Sequence, residues 1–187
     1  GTSAISLYGA QLEVGSFATS YIPTTSASVT RAADNISLAL GAWFNATEGT
    51  FLAEFIRTGA GGTNRILNAS TTANDSIDLT VVTLTPTYAV LVGGAAQCSI
   101  ATTAVTLNAV SRSAIAYKAN DFNAATNGTP GSQDTSGSIP SVTTLYLAQS
   151  VAGAQQLNGW LRKLPYWRRR SLAQTDISLR DLSGSGF

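Results

Sequence analysis

The sequence contains no histidine and no methionine, and Cys98 is its single cysteine. Without imidazole groups the chain cannot build histidine general bases, HExxH metal motifs or mixed Cys/His zinc sites. A lone cysteine also rules out an internal disulfide. Cys98 lies among small residues with no histidine to activate it, so we expect a buried structural thiol rather than a nucleophile.

Charged residues are scarce too, at 11% of 187 residues, and the formal net charge is +1. Small neutral polar groups must therefore cover the surface, which is typical of β-rich extracellular or particle-surface proteins. A nearly neutral chain has no global field that steers it toward nucleic acid or membrane. Its basic residues concentrate in 162–170, so any polyanion would have to be bound locally.

Long apolar runs are absent: none approaches the roughly 18 residues that a membrane-spanning helix needs, and no signal peptide is visible. We therefore expect no membrane insertion. The chain begins with Gly1-Thr2 rather than Met, which we expect of a part excised from a longer protein. What the sequence does have is a 44% hydrophobic content, enough for one substantial core.

Two regions differ in composition. Residues 1–33 contain a strand-like run and a stretch rich in Ser, Thr and Ala, and are predicted to be an N-terminal strand and linker-like arm. Residues 34–187 carry short β-type runs separated by turn residues, which predicts an all-β sandwich of two antiparallel sheets. These runs are GTFLAEFIR, SIDLTVVTL, TYAVLVGG, SRSAIAYKA, DFNAATNG, TTLYLAQS and NGWLRKLPYW.

Two local signals refine this prediction. Asn127-Gly128 supplies the two positive-φ positions of a tight hairpin turn. Ser171 precedes Gln174 by three residues, the spacing of a capping box, and three apolar residues can line one side of the helix that follows: Ala173, Ile177 and Leu182. The domain is therefore expected to close with one short C-terminal helix.

Three stretches in order, AYKANDFNAATNG, DTSGSIPSVTTLYLA and LNGWLRKLPYWRRRSL, resemble the C-terminal concanavalin-A-like (laminin-G-like) sandwich domains of bacteriophage tail and tail-fibre proteins. The upstream YGAQLEVGSFATSYIPTT is similar to the last strand and exit linker of the jelly-roll domain that often precedes them. The resemblance implies a jelly-roll sandwich and a carbohydrate-binding or host-attachment module. It also implies a place on a virion tail or outside the cell.

The stretch NGWLRKLPYWRRRSL, residues 158–172, is interpreted as a core strand with a bulge near Arg162. Alternation with that shift directs Leu161, Leu164 and Tyr166 inward. Trp160 then faces away from the core and offers a flat surface on which a sugar ring can stack. The alternatives are that Trp160 packs against the N-terminal segment or a neighbouring subunit, or that the basic residues track a nucleic acid, for which no nucleic-acid fold is recognisable.

Candidate carbohydrate-binding residues are therefore aromatic groups for stacking and polar groups that hydrogen-bond to hydroxyls. Trp43 has the same ambiguity as Trp160, because it lies in a loop before a strand. Polar candidates stand on or beside predicted strands, although for those in KANDFN a simple turn is an alternative explanation. The polar set is Asn120, Asp121, Asn123, Arg57, Arg112 and Gln149.

Catalysis and metal binding find less support in the sequence. The glucanases of this fold class carry a Glu-x-Asp-x-x-Glu pattern, which is absent. Glu48 and Glu54 would lie roughly 20 Å apart on an extended strand, against roughly 5 to 10 Å for glycosidase carboxyl pairs. No cofactor is predicted, although calcium is a further candidate through the oxygens of Asn74, Asp75, Asp78 and Glu48, the alternative being solvated turn carboxylates.

The sequence thus predicts a non-catalytic carbohydrate-binding module of a phage-type tail or fibre protein, whose partner is a polysaccharide or cell-surface glycan and not a nucleic acid. A structural or oligomerisation domain without a sugar site is the alternative, and it predicts that Trp160 and Trp43 are buried between chains. A glucanase-like glycoside hydrolase is a third hypothesis. The sequence is compatible with a homotrimer.

Overall fold

The computed structural model describes residues 9–12, 21–29 and 35–170. The chain divides into two units, Gly1–Asp34 and Asn35–Phe187. In the first unit, the backbone N–H of Ile22 donates to Oε1 of Gln11 at 2.8 Å. The assignment of residues 1–33 to a linker-like arm stays a prediction, because most of them lie outside the described ranges.

Residues 35–170 form twelve β-strands and contain no α-helix. The strands are β1 Ile36–Ala39, β2 Glu48–Arg57, β3 Thr63–Thr72, β4 Asp75–Val82, β5 Thr85–Val92, β6 Ala95–Ala101, β7 Val110–Lys118, β8 Asn123–Thr126, β9 Thr129–Pro130, β10 Thr144–Leu147, β11 Gly159–Lys163 and β12 Tyr166–Trp167. The predicted C-terminal helix lies at residues 171–187, outside the described residues. No helix within the described ranges is long and apolar enough to cross a membrane.

The strands form two antiparallel sheets. Sheet A has the order β1-β10-β3-β4-β5-β6, and sheet B has the order β11-β2-β7-β8-β9, with β12 also pairing with β2. The predicted all-β sandwich of two antiparallel sheets is therefore confirmed. Each of the seven β-type runs contains strand residues, but the sequence runs did not include β1, β3, β6 or β9.

Alternation along β2 places the core between the sheets. Phe51, Ala53 and Phe55 are at most 1% exposed and belong to one large apolar cluster with Leu67 and Ile77 of sheet A. Leu52, which lies between Phe51 and Ala53, belongs instead to a separate small cluster on the outer face of sheet B. A two-residue period is what a strand with two different environments requires.

Cys98 is buried in the main cluster, as expected for a structural thiol. Burial, and secondarily the negative charge of Asp134, raise the pKa of this thiol to about 12. The thiolate is therefore scarce at neutral pH, which agrees with a packing role rather than a reactive one.

Aromatic rings close one end of the core. Phe51 packs on Tyr166 with ring centroids 4.6 Å apart, and the Tyr117 and Tyr166 hydroxyls lie 2.8 Å from each other. Gly49 passes so close that a Cβ there would lie 2.5 Å from the Tyr117 hydroxyl. Burial, and then the hydrogen bond to Tyr166, raise the pKa of Tyr117. Tyr117 is thus a core residue, and the half-buried Tyr166 packs against the same core.

The Asn127-Gly128 hairpin is also confirmed. Both residues have positive φ, 49° and 80°, and the turn joins β8 to β9. Oδ1 of Asn127 accepts the backbone N–H of Arg112 at 2.9 Å. The turn is thereby tied to β7.

Candidate functional site

Trp160 lies on the outer face of sheet B and is 60% exposed. It pairs in register with Ile56 of β2, which pairs in turn with Val110 of β7. Val110 is 43% exposed and Ile56 is half-buried. Since neighbouring strands lie about 4.8 Å apart, these three side chains form an apolar row about 10 Å long.

The position of Trp160 depends on its neighbours in the strand. Gly159 has a φ of 153°, and a Cβ there would lie 1.9 Å from the carbonyl oxygen of Ile56, so a side chain at 159 would separate β11 from β2. The register of β11 shifts between Leu161 and Lys163, as the predicted bulge requires. Beyond the bulge Leu164 packs against the main core, whereas Trp167 packs on the outer cluster.

A charged row follows the apolar row on the same face. Glu54, two residues before Ile56, pairs in register with Arg112 of β7 and Lys163 of β11. Its Oε2 accepts a hydrogen bond from Nε of Arg112 at 2.9 Å, and its Oε1 lies 3.3 Å from Nη1 of Arg162. The two rows lie about 7 Å apart along the strands.

The carboxylate of Glu54 is held ionised in this row. Its hydrogen bond from Arg112 is the largest influence on its pKa, which is lowered although burial acts in the opposite direction. The charges of Arg112, Arg162 and Lys163 lower this pKa further. The Glu54 side chain is 6% exposed, whereas those of Arg112 and Arg162 are 36% and 47% exposed.

These two rows define the Trp160 patch: Trp160, Ile56, Val110, Glu54, Arg112, Arg162 and Lys163. An exposed indole offers an apolar face for a sugar ring, and guanidinium and ammonium groups offer several N–H donors for hydroxyl or acidic oxygens. Of the predicted polar residues, Arg112 is the one that the fold brings to Trp160. The sequence pattern did not connect Arg162 and Lys163 with Arg112.

Trp43 lies elsewhere and is half-buried. Its ring packs edge-on against Phe44 and Tyr166, with centroids 6.0 and 5.5 Å away, and its Nε1 donates to the carbonyl of Ala39 at 3.2 Å. This environment is that of a ring at the margin of the aromatic cluster. Trp43 therefore does not share a surface with Trp160.

The KANDFN candidates form a turn and a buried strand end. Asn120 has a φ of 58°, and its Oδ1 accepts the backbone N–H of Gly137 at 3.1 Å. Asp121 forms an ion pair with Arg170. Asn123 is 1% exposed at the start of β8. The turn explanation thus accounts for Asn120 and Asp121, whereas Asn123 is buried in a strand and cannot reach a ligand at the surface.

Arg57 and Gln149 are also inaccessible. Arg57 is 1% exposed at the end of β2, where its Nη2 donates to the carbonyl of Gly61 at 2.7 Å, and burial lowers its pKa. Gln149 is 2% exposed, and its Nε2 donates to Oδ1 of Asn35 at 2.7 Å. Both hold loops to strand ends, which differs from the expected surface role.

The outer face of sheet A carries a different polar group. Asp78 of β4 is 2% exposed, forms an ion pair with Arg65, and accepts hydrogen bonds from Asn68 and from Ser76, the latter at 2.7 Å. The loop of residues 150–155 crosses this face, and loop and sheet together line an open cavity of about 260 Å³, to which the sheet contributes Arg65 and Asn68. Sequence reasoning did not find this group, because β3 was not recognised as a strand.

The loop and the sheet are joined directly at this cavity. The backbone N–H of Val151 donates to Oδ1 of Asn68 at 2.8 Å, and Nε of Arg65 donates to Oε1 of Gln155 at 2.7 Å. The polar atoms that line the cavity are thus bonded largely to one another. This arrangement holds the loop on the sheet and leaves few groups for a ligand.

Within the described ranges, neither a carboxylate pair for glycoside hydrolysis nor the suggested calcium site is assembled. Glu48 and Glu54 stand at opposite parts of the extended strand β2, and each has a cationic partner. Glu48 lies on sheet B, whereas Asp75 and Asp78 lie on sheet A, where Asp78 is paired with Arg65. Among the described residues no group of three His, Cys, Asp or Glu side chains could hold a metal ion.

No protein-family model matches the sequence, and no curated protein matches it. Solved structures do share the fold. The CBM40 domain of a Ruminococcus gnavus IT-sialidase, solved with α2,3-sialyllactose, has a TM-score of 0.63 and 13% identity over 73% of this chain and 84% of that one. The NanB sialidase of Streptococcus pneumoniae has a TM-score of 0.62 and 10% identity over 76% of this chain.

The binding domain of botulinum neurotoxin DC, solved in complex with SialylT, has a TM-score of 0.55 and 9% identity over 72% of this chain. The matched region is 26% of the NanB chain and 35% of the neurotoxin chain, so it is a part of each larger protein. At these identities the likeness concerns the fold alone. The chain is thus a β-sandwich similar in fold to the CBM40 carbohydrate-binding module and to a toxin binding domain.

Proposed function

We propose that this chain is a non-catalytic carbohydrate-binding module that recognises a polysaccharide or cell-surface glycan through the Trp160 patch. The observation that carries the proposal is Trp160 itself, a large ring 60% exposed on a regular sheet face. Indole rings are usually buried for much of their area, and exposed ones are enriched where ligands stack. Arg112 and Arg162 stand one row away and supply hydrogen-bond donors.

The fold supports the same assignment. CBM40 is named as a carbohydrate-binding module, and the structure that resembles this chain holds sialyllactose. The carboxylates Glu48 and Glu54 are paired with cations and lie apart on one strand, which favours binding over hydrolysis. Recognition would then be an equilibrium in which the indole stacks on a sugar ring and the arginines orient its oxygens.

The biological setting that we propose is a phage-type tail or tail-fibre protein, on the virion tail or outside the cell. The resemblance of AYKANDFNAATNG and LNGWLRKLPYWRRRSL to tail-fibre sandwich domains supports this setting. A shallow, solvated face gives weak single-site affinity, because each hydrogen bond to the sugar replaces one to water. Attachment would draw its strength from several copies, as in a homotrimer.

The test is a binding screen of the purified chain against immobilised polysaccharides and a glycan array, with and without calcium. Wild type and a Trp160→Ala variant are compared, with Tyr146→Ala as matched control. Tyr146 is a half-buried aromatic residue that pairs with Asn68 on sheet A, the opposite side of the sandwich. We expect saturable binding that Trp160→Ala abolishes and Tyr146→Ala retains; absence of binding to every glycan would overturn the proposal.

A structural or oligomerisation role is the second candidate, and the edge strand β1 favours it. Ile36 and Leu38 are 55% and 53% exposed on this strand. An edge strand with exposed apolar side chains is suited to contact with another chain. A concentration-dependent oligomer that Leu38→Asp disrupts, together with an absence of glycan binding, would favour this role over the first.

A further inference from the structure

We infer that the saccharide recognised by the Trp160 patch is anionic, carrying carboxylate or sulfate groups. This inference rests on the proposed function and narrows it to a ligand class. Its basis is the balance of charge and of hydrogen-bonding groups on the outer face of sheet B. The exposed aromatic ring alone would serve neutral and acidic sugars equally.

The patch holds more cations than its single carboxylate neutralises. Three cations, Arg112, Arg162 and Lys163, stand around the single carboxylate of Glu54, so two positive charges remain in excess within the patch. Lys163 is exposed and makes no ion pair within the described ranges. The chain as a whole has a net charge of +1, so this excess is a local feature rather than part of a basic surface.

The charged row is also rich in donors and poor in acceptors. The Glu54 side chain is 6% exposed, and its two oxygens are engaged by Arg112 and Arg162. It therefore cannot readily accept hydrogen bonds from sugar hydroxyls. The cationic side chains retain further N–H groups, and both arginines are partly exposed. A row of side chains that offers hydrogen-bond donors and almost no free acceptors selects a ligand that carries acceptors. Anionic oxygens are the strongest hydrogen-bond acceptors for such cationic donors.

The excess positive charge lies beside Trp160, so one oligosaccharide can stack on the indole and also contact the cationic side chains. The apolar row and the charged row lie about 7 Å apart, which is within the length of a short oligosaccharide. A sugar ring on Trp160 places its neighbour over Arg162 and Lys163, or over Arg112. A charge interaction at this exposed face weakens with salt, since the Debye length is about 8 Å at physiological ionic strength.

The experiment compares binding of the whole chain to four probes: polygalacturonate, dextran sulfate, neutral dextran and single-stranded DNA, each at low and physiological salt. The variants are Arg162→Ala, Lys163→Ala and their combination. Lys118→Ala is the matched control, because Lys118 also lies on sheet B, is exposed, and pairs with Glu48 at 3.8 Å, far along β2 from Glu54. Circular dichroism verifies that each variant is folded.

We expect binding to an acidic polysaccharide at least about tenfold tighter than to dextran, a difference of about 1.4 kcal/mol. The double variant should abolish this preference, and Lys118→Ala should retain it. Equal, salt-insensitive binding of dextran and the acidic polymers would overturn the inference but leave the proposed function intact. If single-stranded DNA bound as tightly as the acidic polysaccharides, the inference would also be overturned, because the patch would then bind any polyanion. Binding to no polymer or glycan would overturn both.

Discussion

The outer faces of sheets A and B each carry a buried carboxylate, Asp78 on sheet A and Glu54 on sheet B, but the groups around them differ. Asp78 is bonded to Arg65, Asn68 and Ser76, and two of these partners are bonded in turn to the loop of residues 150–155. Glu54 is surrounded by three cations that it cannot all neutralise, next to an exposed tryptophan.

The comparison distinguishes a polar group that stabilises the fold from one that retains binding capacity. On sheet A, donors and acceptors satisfy one another, which is what buried polar groups require. On sheet B, both oxygens of Glu54 already have cationic partners, and the remaining N–H donors of those cations are open to solvent. Polar residues alone therefore do not identify a binding face; donors in excess beside an exposed ring do.

The largest expected effect on stability comes from a substitution that breaks the polar group of sheet A. Asp78→Ala leaves Arg65, Asn68 and Ser76 without their shared acceptor, and removing one partner of a buried ion pair costs about 3 kcal/mol. Urea denaturation should show this loss in the free energy of unfolding, and saccharide binding should be unchanged. Asp75→Ala, in the turn that starts β4, is the control, with an expected cost of about 1 kcal/mol. Loss of binding in Asp78→Ala with stability retained would reverse the roles of the two faces.

A smaller effect is expected on sheet B. Arg112→Ala removes the charge-assisted hydrogen bond to Glu54, a loss of about 2 kcal/mol at neutral pH. The folded-state pKa of Glu54 is lowered, so its stabilising contribution is present above the pKa of the unfolded chain and is lost as pH falls through the folded value. Denaturation at several pH values should show the difference between wild type and variant shrinking on the acid side.

Two checks accompany that measurement. Lys118→Ala removes an exposed cation of sheet B whose partner is 3.8 Å away, and should change stability by less than about 1 kcal/mol. A difference between Arg112→Ala and wild type that stays constant from neutral to acid pH would mean that the bond to Glu54 is not its source.

The smallest expected effect on stability is that of Trp160→Ala. An exposed side chain away from the core changes the free energy of unfolding by about 0.5 kcal/mol or less. The same substitution should reduce glycan affinity at least about tenfold. Thermal denaturation and a binding isotherm on one preparation separate the two quantities. A stability loss above about 2 kcal/mol would show that Trp160 has a packing role, contrary to its exposure.

Sequence reasoning predicts the orientation of Trp160 but not the patch around it. Alternation and one bulge suffice to direct Leu161 and Tyr166 inward and Trp160 outward, because these properties are local to residues 158–167. Joining Trp160 to Arg112 requires the registers of β11 on β2 and of β2 on β7. Trp160 pairs with Ile56, 104 positions away, and Glu54 pairs with Arg112, 58 positions away, and no local pattern specifies such registers.

The missed strand β3 and the misjudged polar residues have related causes. Arg65, Asn68 and Ser70 give β3 a polar outer face, and register shifts at two places interrupt its alternation. Its sequence therefore looks like a turn-rich loop. Arg57 and Gln149 were expected at the surface because of their chemistry, yet both are buried: Arg57 donates to the carbonyl of Gly61 in the loop that follows β2, and Gln149 donates to the side-chain oxygen of Asn35, 114 positions away. Burial by loops is a tertiary property that composition does not reveal.

The most direct test of the central claim is a fluorine NMR titration of the chain labelled with fluorotryptophan. The three tryptophans give separate signals, which single Trp→Phe variants assign. Titration with the best-binding glycan should shift the Trp160 signal until it saturates. The half-maximal shift should occur at the same glycan concentration as half-maximal binding, and the Trp43 signal should not change. A saturable shift of Trp43 alone, or binding that moves no tryptophan signal, would contradict recognition through the Trp160 patch.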